Sequence, residues 1–140
     1  MQGNYSHTMD AKGRLFFPAK FREKMGEVVY VCPSVNGSHC INAYSEEAWN
    51  ELADRLKAIR TKKARKLEYE LFSNSDECTF DANGRIIINQ KLRERAKLDK
   101  MIKIIGLPGH VEIWNEEINT AERIPMEPIE IEELYEELEL

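Results

Sequence analysis

Apolar positions along this chain follow two periods that take turns. Four short apolar runs in the first half read as strands: Ser6 to Met9, the RLFF at 14–17, VVYVCP from Val28 and HCINAY from His39. Four more in the second half match them: Glu77 to Phe80, RIIIN from Arg85, MIKIIGL from Met101 and HVEIWN from His110. A short helix is expected after the second run of each set. Pro18 suits the first turn of one helix and Asn89 caps the other, while Gly26 suits the end of the first. Turns are expected at VNGS and PGH. Between the two sets the period changes from 2 to 3.6. Trp49, Leu52, Leu56, Ile59, Leu67 and Leu71 recur at spacings of mostly three or four, with a break at Lys63, which predicts a long amphipathic helix. Ser45 is placed as its N-cap, with Glu46 and Glu47 at its positive end.

The two sets are copies. TMDAKGRLFFPAKFRE at residues 8–23 and TFDANGRIIINQKLRE at 79–94 agree at 8 of 16 positions at an offset of 71. Both sets close on an aromatic, a small polar residue and two glutamates, YSEE from Tyr44 and WNEE from Trp114. The chain is therefore a tandem duplication. Repeat 1 covers 5–47, a linking helix 48–75, repeat 2 76–119 and an acidic C-terminal tail 120–140. A lobe of about 45 residues buries little surface alone, so the lobes are expected to lean on each other or on neighbouring chains.

Charge divides the chain differently. The net charge of −5 in 140 residues argues against a nucleic-acid partner until its position is considered. Residues 1–111 carry 19 basic and 14 acidic side chains, whereas 112–140 carry one basic residue and 11 acidic ones. An acidic tail hides a basic body. Arg55, Lys57, Arg60, Lys62, Lys63, Arg65 and Lys66 crowd the linking segment with no acid among them. Beyond Arg123, IPMEPIEIEELYEELEL holds seven glutamates and two prolines. It reads as an extended start and a solvated or loosely helical end, with Ile129, Leu134, Tyr135 and Leu138 as a thin apolar stripe, a flexible or partner-docked tail rather than a core element. Cys32, Cys40 and Cys78 are odd in number and include no CxxC pair, which fits a reducing cytosol. No signal-peptide pattern opens the chain and no apolar run nears the roughly 20 residues of a membrane span, so no membrane partner is expected.

Asp-Ala-X-Gly-Arg is the candidate chemistry. Asp accepts from amides ahead of it in an Asx-turn, and Gly takes positive φ without steric cost. Arg14 and Arg85 then emerge at the start of the outgoing strands, each within reach of its own Asp10 or Asp81. A guanidinium so held matches guanine O6 and N7 in a major groove, yet the same pair also serves merely to pin a turn. Lys20, Arg22, Lys91 and Arg93, like Lys12 in the first turn, offer phosphate contacts or simply a solvated helix face.

The doubled DAKGR and DANGR turns, the apolar strands behind them and the KFRE and KLRE helices resemble the MraZ family over roughly residues 1–119. The resemblance implies an α+β, β-rich fold: two tandem swapped-hairpin lobes of the AbrB and SpoVT type (double-split β-barrel), with short helices and a long linking helix. It also implies a nucleoid-associated cytoplasmic transcriptional regulator. Such a protein binds double-stranded DNA at repeated G-rich boxes, and represses the promoter of the bacterial division and cell-wall gene cluster, its own gene included. A ring-shaped homo-oligomer, an octamer, follows from the same resemblance. Residue by residue, Asp10 and Arg14 fill one DNA-reading turn, with Lys12 in the same loop, and Asp81 and Arg85 fill the other. The tail from Pro125 to Leu140 matches no part of the family pattern.

No enzyme is expected. His7, His39 and His110 are scattered, with no Ser-His-Asp set, HExxH or phosphate-cradling glycine loop. Cys32, His39 and Cys40 lack metal-ligand spacing, so neither metal nor cofactor is expected. The alternative function is a non-DNA partner-binding or antitoxin-like assembly module that uses the acidic tail.

Overall fold

A computed structural model of the chain describes residues 1–34 and 39–140, and the turn expected at VNGS lies outside the described residues. The described residues form a mixed α+β fold of eight strands and six helices. In repeat 1 these are β1 (Gly3–Thr8), β2 (Arg14–Phe16), α1 (Ala19–Met25), β3 (Val28–Pro33) and β4 (Cys40–Ser45). Repeat 2 follows the same order with β5 (Asp76–Thr79), β6 (Arg85–Ile87), α4 (Gln90–Arg95), β7 (Met101–Leu107) and β8 (His110–Asn115). Between them lie α2 (Glu46–Ala58) and α3 (Lys62–Phe72), and after them α5 (Glu116–Glu122) and α6 (Pro128–Glu137).

Each repeat completes the other. One sheet has the order β1-β7-β8-β4-β3-β5, and β2 and β6 make a separate two-stranded ribbon. The first strand of repeat 1 thus pairs antiparallel with the third strand of repeat 2, Tyr5 opposite Ile104, and β5 returns the exchange on β3, Cys78 opposite Val29. At the centre β4 meets β8 with Ile41 opposite Ile113 and Ala43 opposite Val111. The register thus maps onto itself when the repeats are interchanged. The hairpin exchange takes place inside one chain.

Burial explains why neither half stands alone. Leu15, Phe17 and Phe21 from repeat 1 and Ile86, Ile88 and Leu92 from repeat 2 share one core with Val29, Val31, Ile102 and Ile104. Each such side chain contributes roughly 1.5–3 kcal/mol by leaving water, and both repeats supply members of this one core.

The linking segment is helical in two pieces. Arg65 donates to the carbonyls of Leu56 and Ile59 at 2.7 and 3.0 Å, and the Thr61 hydroxyl accepts from the Ala64 N–H at 3.1 Å. The break therefore falls at 59–61 rather than at Lys63, because a cap on one helix and a guanidinium on the end of the other satisfy the freed backbone groups. The hairpin folds back over the outer side of β3 and β4. There Trp49 stacks on Tyr30 (5.5 Å between centroids) and meets Phe72 at 4.6 Å. Pro18 stands at the cap position of α1, one residue before its expected place, and Gly26, at φ 81°, closes that helix.

The tail contains α6, none of whose residues is buried. Its start is encoded locally, with Pro128 in the first turn and the Glu130 carboxylate accepting from the Glu127 N–H at 3.1 Å. No helix among the described residues is long and apolar enough to cross a membrane.

Candidate nucleic-acid interface

The β2–β6 ribbon brings the two Asp-Ala-X-Gly-Arg turns together. In each, the Asp carboxylate organises the bend through one oxygen and the arginine through the other. Asp10 Oδ1 accepts from the backbone N–H of Lys12 (3.0 Å) and of Arg14 (2.9 Å), while Oδ2 accepts from Arg14 Nε at 2.5 Å. Asp81 repeats this with Asn83 (2.9 Å), the Arg85 amide (3.0 Å) and Arg85 Nε (2.9 Å). The arginine amide, ahead of the guanidinium, holds each carboxyl below the ordinary value of 3.8, so both turns are charged at neutral pH. Among the described residues the hydrogen bonds these two guanidinium groups donate run through Nε, leaving the outer nitrogen pair of each fork to other partners.

Alternation along the ribbon sets which side chains face out. Arg14 lies opposite Ile87, Leu15 opposite Ile86 and Phe16 opposite Arg85. Leu15 and Ile86 point into the core with no exposure, so Arg14, Phe16, Arg85 and Ile87 share the other face. The arginines stand on a diagonal, which in antiparallel geometry separates them by roughly 7–8 Å. Phe16 and Ile87 on this face, with His7 edge-on to Phe16 at 5.3 Å, escaped the sequence reading. The period-two alternation from Arg14 to Phe16 and from Arg85 to Ile87 was the signal for the first two.

The remaining candidates divide into packed and free side chains. Arg22 donates from Nε to the Phe17 carbonyl (3.1 Å), lies over the Phe16 ring and reaches the opposite turn, where a Cβ on Gly84 would come within 2.7 Å of its Cζ. Arg93 mirrors it against repeat 1. Its Nη1 donates to Ala11 O (3.4 Å), and a Cβ on Gly13 would meet Arg93 Nε at 2.9 Å and the Ile88 carbonyl at 2.5 Å. Gly13 and Gly84 also have φ of 83° and 74°, so two constraints exclude a side chain there. These two helix arginines thus clasp the partner repeat's turn. Lys20 lies 5.9 Å over the Tyr5 ring. Lys12 and Lys91 are exposed and carry no side-chain ion pair among the described residues.

Elsewhere the titratable groups serve the fold. Burial pushes the thiols of Cys32, Cys40 and Cys78 up to about 12. Among the described residues no cluster of three His, Cys, Asp or Glu side chains is placed to hold a metal ion. His39 is bonded to Glu122 and so ties the end of α5 to the start of β4.

Comparison with known proteins agrees with this architecture. The family model described as "MraZ protein, putative antitoxin-like" matches residues 1–69 and 71–118. A protein of Carboxydothermus hydrogenoformans is 41% identical over 118 residues, covering 83% of this chain and 81% of its own. One of Heliobacterium modesticaldum is 41% identical over 117 residues, 82% and 80% of the two chains. One of Caldicellulosiruptor saccharolyticus is 37% identical over 139 residues, 98% and 95%, so its match runs into the acidic end. All three bear the name "Transcriptional regulator MraZ".

Proposed function

The chain belongs to the MraZ family, and we propose that it regulates transcription by reading DNA with its paired Asp–Arg turns. Regulation of transcription, not catalysis, is what the names of its relatives state. The observation that carries the finer reading is the placement of two carboxylate-held guanidinium groups on one face of a two-stranded ribbon.

A two-stranded ribbon fits a B-DNA major groove, and an Arg fork matches guanine O6 and N7. Because Nε is committed to the aspartate, the outer nitrogens are pre-aimed and less rotamer freedom is lost on contact. A diagonal of roughly 7–8 Å corresponds to about two base-pair steps at ~3.4 Å each. Two forks thus read two guanines within one short box. Lys12, Lys20 and Lys91 then contribute phosphate contacts, and Arg22 and Arg93 hold the turns that aim the forks. One such face binds weakly. Joining several in a homo-oligomeric ring, an octamer, makes later contacts intramolecular and favours repeated G-rich boxes over single ones. Repression of the division and cell-wall gene promoter that includes its own gene, and residence on the nucleoid, complete the proposal.

The deciding experiment is a footprint on the chain's own upstream DNA with Arg14→Ala, Arg85→Ala and the double variant. Each lost bidentate contact is expected to cost about 1–3 kcal/mol of base discrimination, with assembly size unchanged by sedimentation. Normal protection by the double variant refutes the turn assignment.

The family description's "antitoxin-like" and the exposed tail favour one second reading, a partner-binding module. Removal of 125–140 then abolishes partner binding and leaves DNA affinity as it was.

A further inference from the structure

We propose that α6 is a docking helix whose seat is the basic outer face of the α2–α3 hairpin on a second copy of this chain. The two faces are complementary and neither is covered. On α6, Ile131, Leu134, Tyr135 and Leu138 fall at i, i+3, i+4 and i+7, one stripe, and all four are exposed, from 41 to 65%. Glu130 and Glu137 flank the stripe on one side and Glu132 on the other, and no cation pairs with any of them among the described residues.

The hairpin offers the opposite sign in the same format. Ile59, Leu67 and Tyr69 are exposed apolar side chains on or beside α3. Around them stand Lys57, Arg60, Lys62, Lys63 and Lys66, none in an ion pair among the described residues. Arg65 is excluded from this set, since it caps α2 and pairs with Glu68 at 3.2 Å. Lys62, Lys66 and Tyr69 share one line of α3, and Lys63 and Leu67 the adjacent line.

Three physical arguments favour this occupant. A ten-residue helix is marginal in water by itself, so a solvent-bathed α6 gains its stability from what it lies on. Net charge of opposite sign on the two faces selects the partner, Glu70 of α3 being paired with Arg95 at 2.7 Å, while the apolar stripe supplies the burial. Within one chain neither face covers the other, since the four apolar side chains of the α6 stripe and Ile59, Leu67 and Tyr69 of the hairpin are all exposed. A second copy supplies the missing face without moving α5. Since the two faces differ, the contact is heterologous and repeats head to tail. The inference shares with the proposed function only that copies associate, and it needs neither DNA nor the Asp–Arg turns.

The test is a charge exchange between copies, with no DNA present. One full-length variant carries Glu130→Lys, Glu132→Lys and Glu137→Lys, the other Lys62→Glu, Lys63→Glu and Lys66→Glu. A donor dye at Glu139→Cys of one copy and an acceptor at Ala58→Cys of another report the contact, the three native thiols being buried. Each variant alone is expected to show at least tenfold weaker transfer than the parent, and the parent to lose it at high salt. Copies of the two variants, mixed at high salt and returned to low salt, are expected to regain it. Parental transfer by either variant alone overturns the proposal. Transfer within a single chain carrying both dyes that persists unchanged when unlabelled parent is added in excess overturns the second-copy seat and assigns α6 to its own hairpin. Circular dichroism of each variant separates loss of contact from loss of fold.

Discussion

The two halves of this molecule are near copies at their turns and unlike at their outer faces. Asp10–Arg14 and Asp81–Arg85 reproduce each other bond for bond, and Gly13 O and Gly84 O each accept from the other half, at 2.9 Å from Ile88 and 3.1 Å from Phe17. The helices that leave β4 and β8 also start alike, with Ser45 and Asn115 each accepting from the third amide beyond. Two positions past the paired glutamates of repeat 1 the resemblance ends. Trp49 anchors the α2–α3 roof in a cluster with Tyr30, Tyr44 and Phe72, and in repeat 2 the corresponding residue is the buried polar Asn119. Duplication kept what both halves must share to complete one another and released the outer faces to diverge.

The strongest way to break the comparison is to remove the roof's anchor. Trp49→Ala is expected to cost about 3–5 kcal/mol in chemical denaturation, against about 1 kcal/mol or less for Asn119→Ala. Equal losses would mean the roof adds nothing to repeat 1.

Next in size are the turn glycines. A side chain at either positive φ costs on the order of 1–3 kcal/mol, but the obstacles differ. Gly13→Ala drives Cβ against the Ile88 backbone carbonyl as well as Arg93, whereas the atoms nearest a Cβ at Gly84 are the guanidinium end of the Arg22 side chain. Gly13→Ala should therefore lower the melting temperature more than Gly84→Ala.

The smallest effect sharpens the likeness. Asp10 and Asp81 have folded pKa values held below 3.8, so their support of the turns is complete above that ordinary value and lost as pH falls through the folded values. Carboxyl NMR titration should give both midpoints below 3.8, and Arg14→Ala should raise only that of Asp10.

Much of this was legible in the sequence where the interactions are local. Each Asp-Ala-X-Gly-Arg turn closes within five residues, so the residues that spell it are the residues that hold it. Caps at Ser45 and Asn89 were legible for the same reason. The break between α2 and α3 was read at Lys63 because the apolar period falters there, although the Thr61 cap and the reach of Arg65 back to Leu56 decide it. Arg22 and Arg93 read as helix-face cations. Nothing nearby in sequence reveals that each lies over a glycine of the other repeat.

By itself the sequence determined the duplication, the order of elements, the two guanidinium turns and the division into a basic body and an acidic end. All of these rest on contacts a few residues long or on composition. Only the tertiary structure decided that β1 pairs with β7 and β5 with β3, that Arg14 and Arg85 share one face, and that α6 and the α2–α3 hairpin are both left uncovered. Those outcomes depend on which apolar faces can be buried together, and a half with too little surface to enclose its own core finds the remainder in its copy.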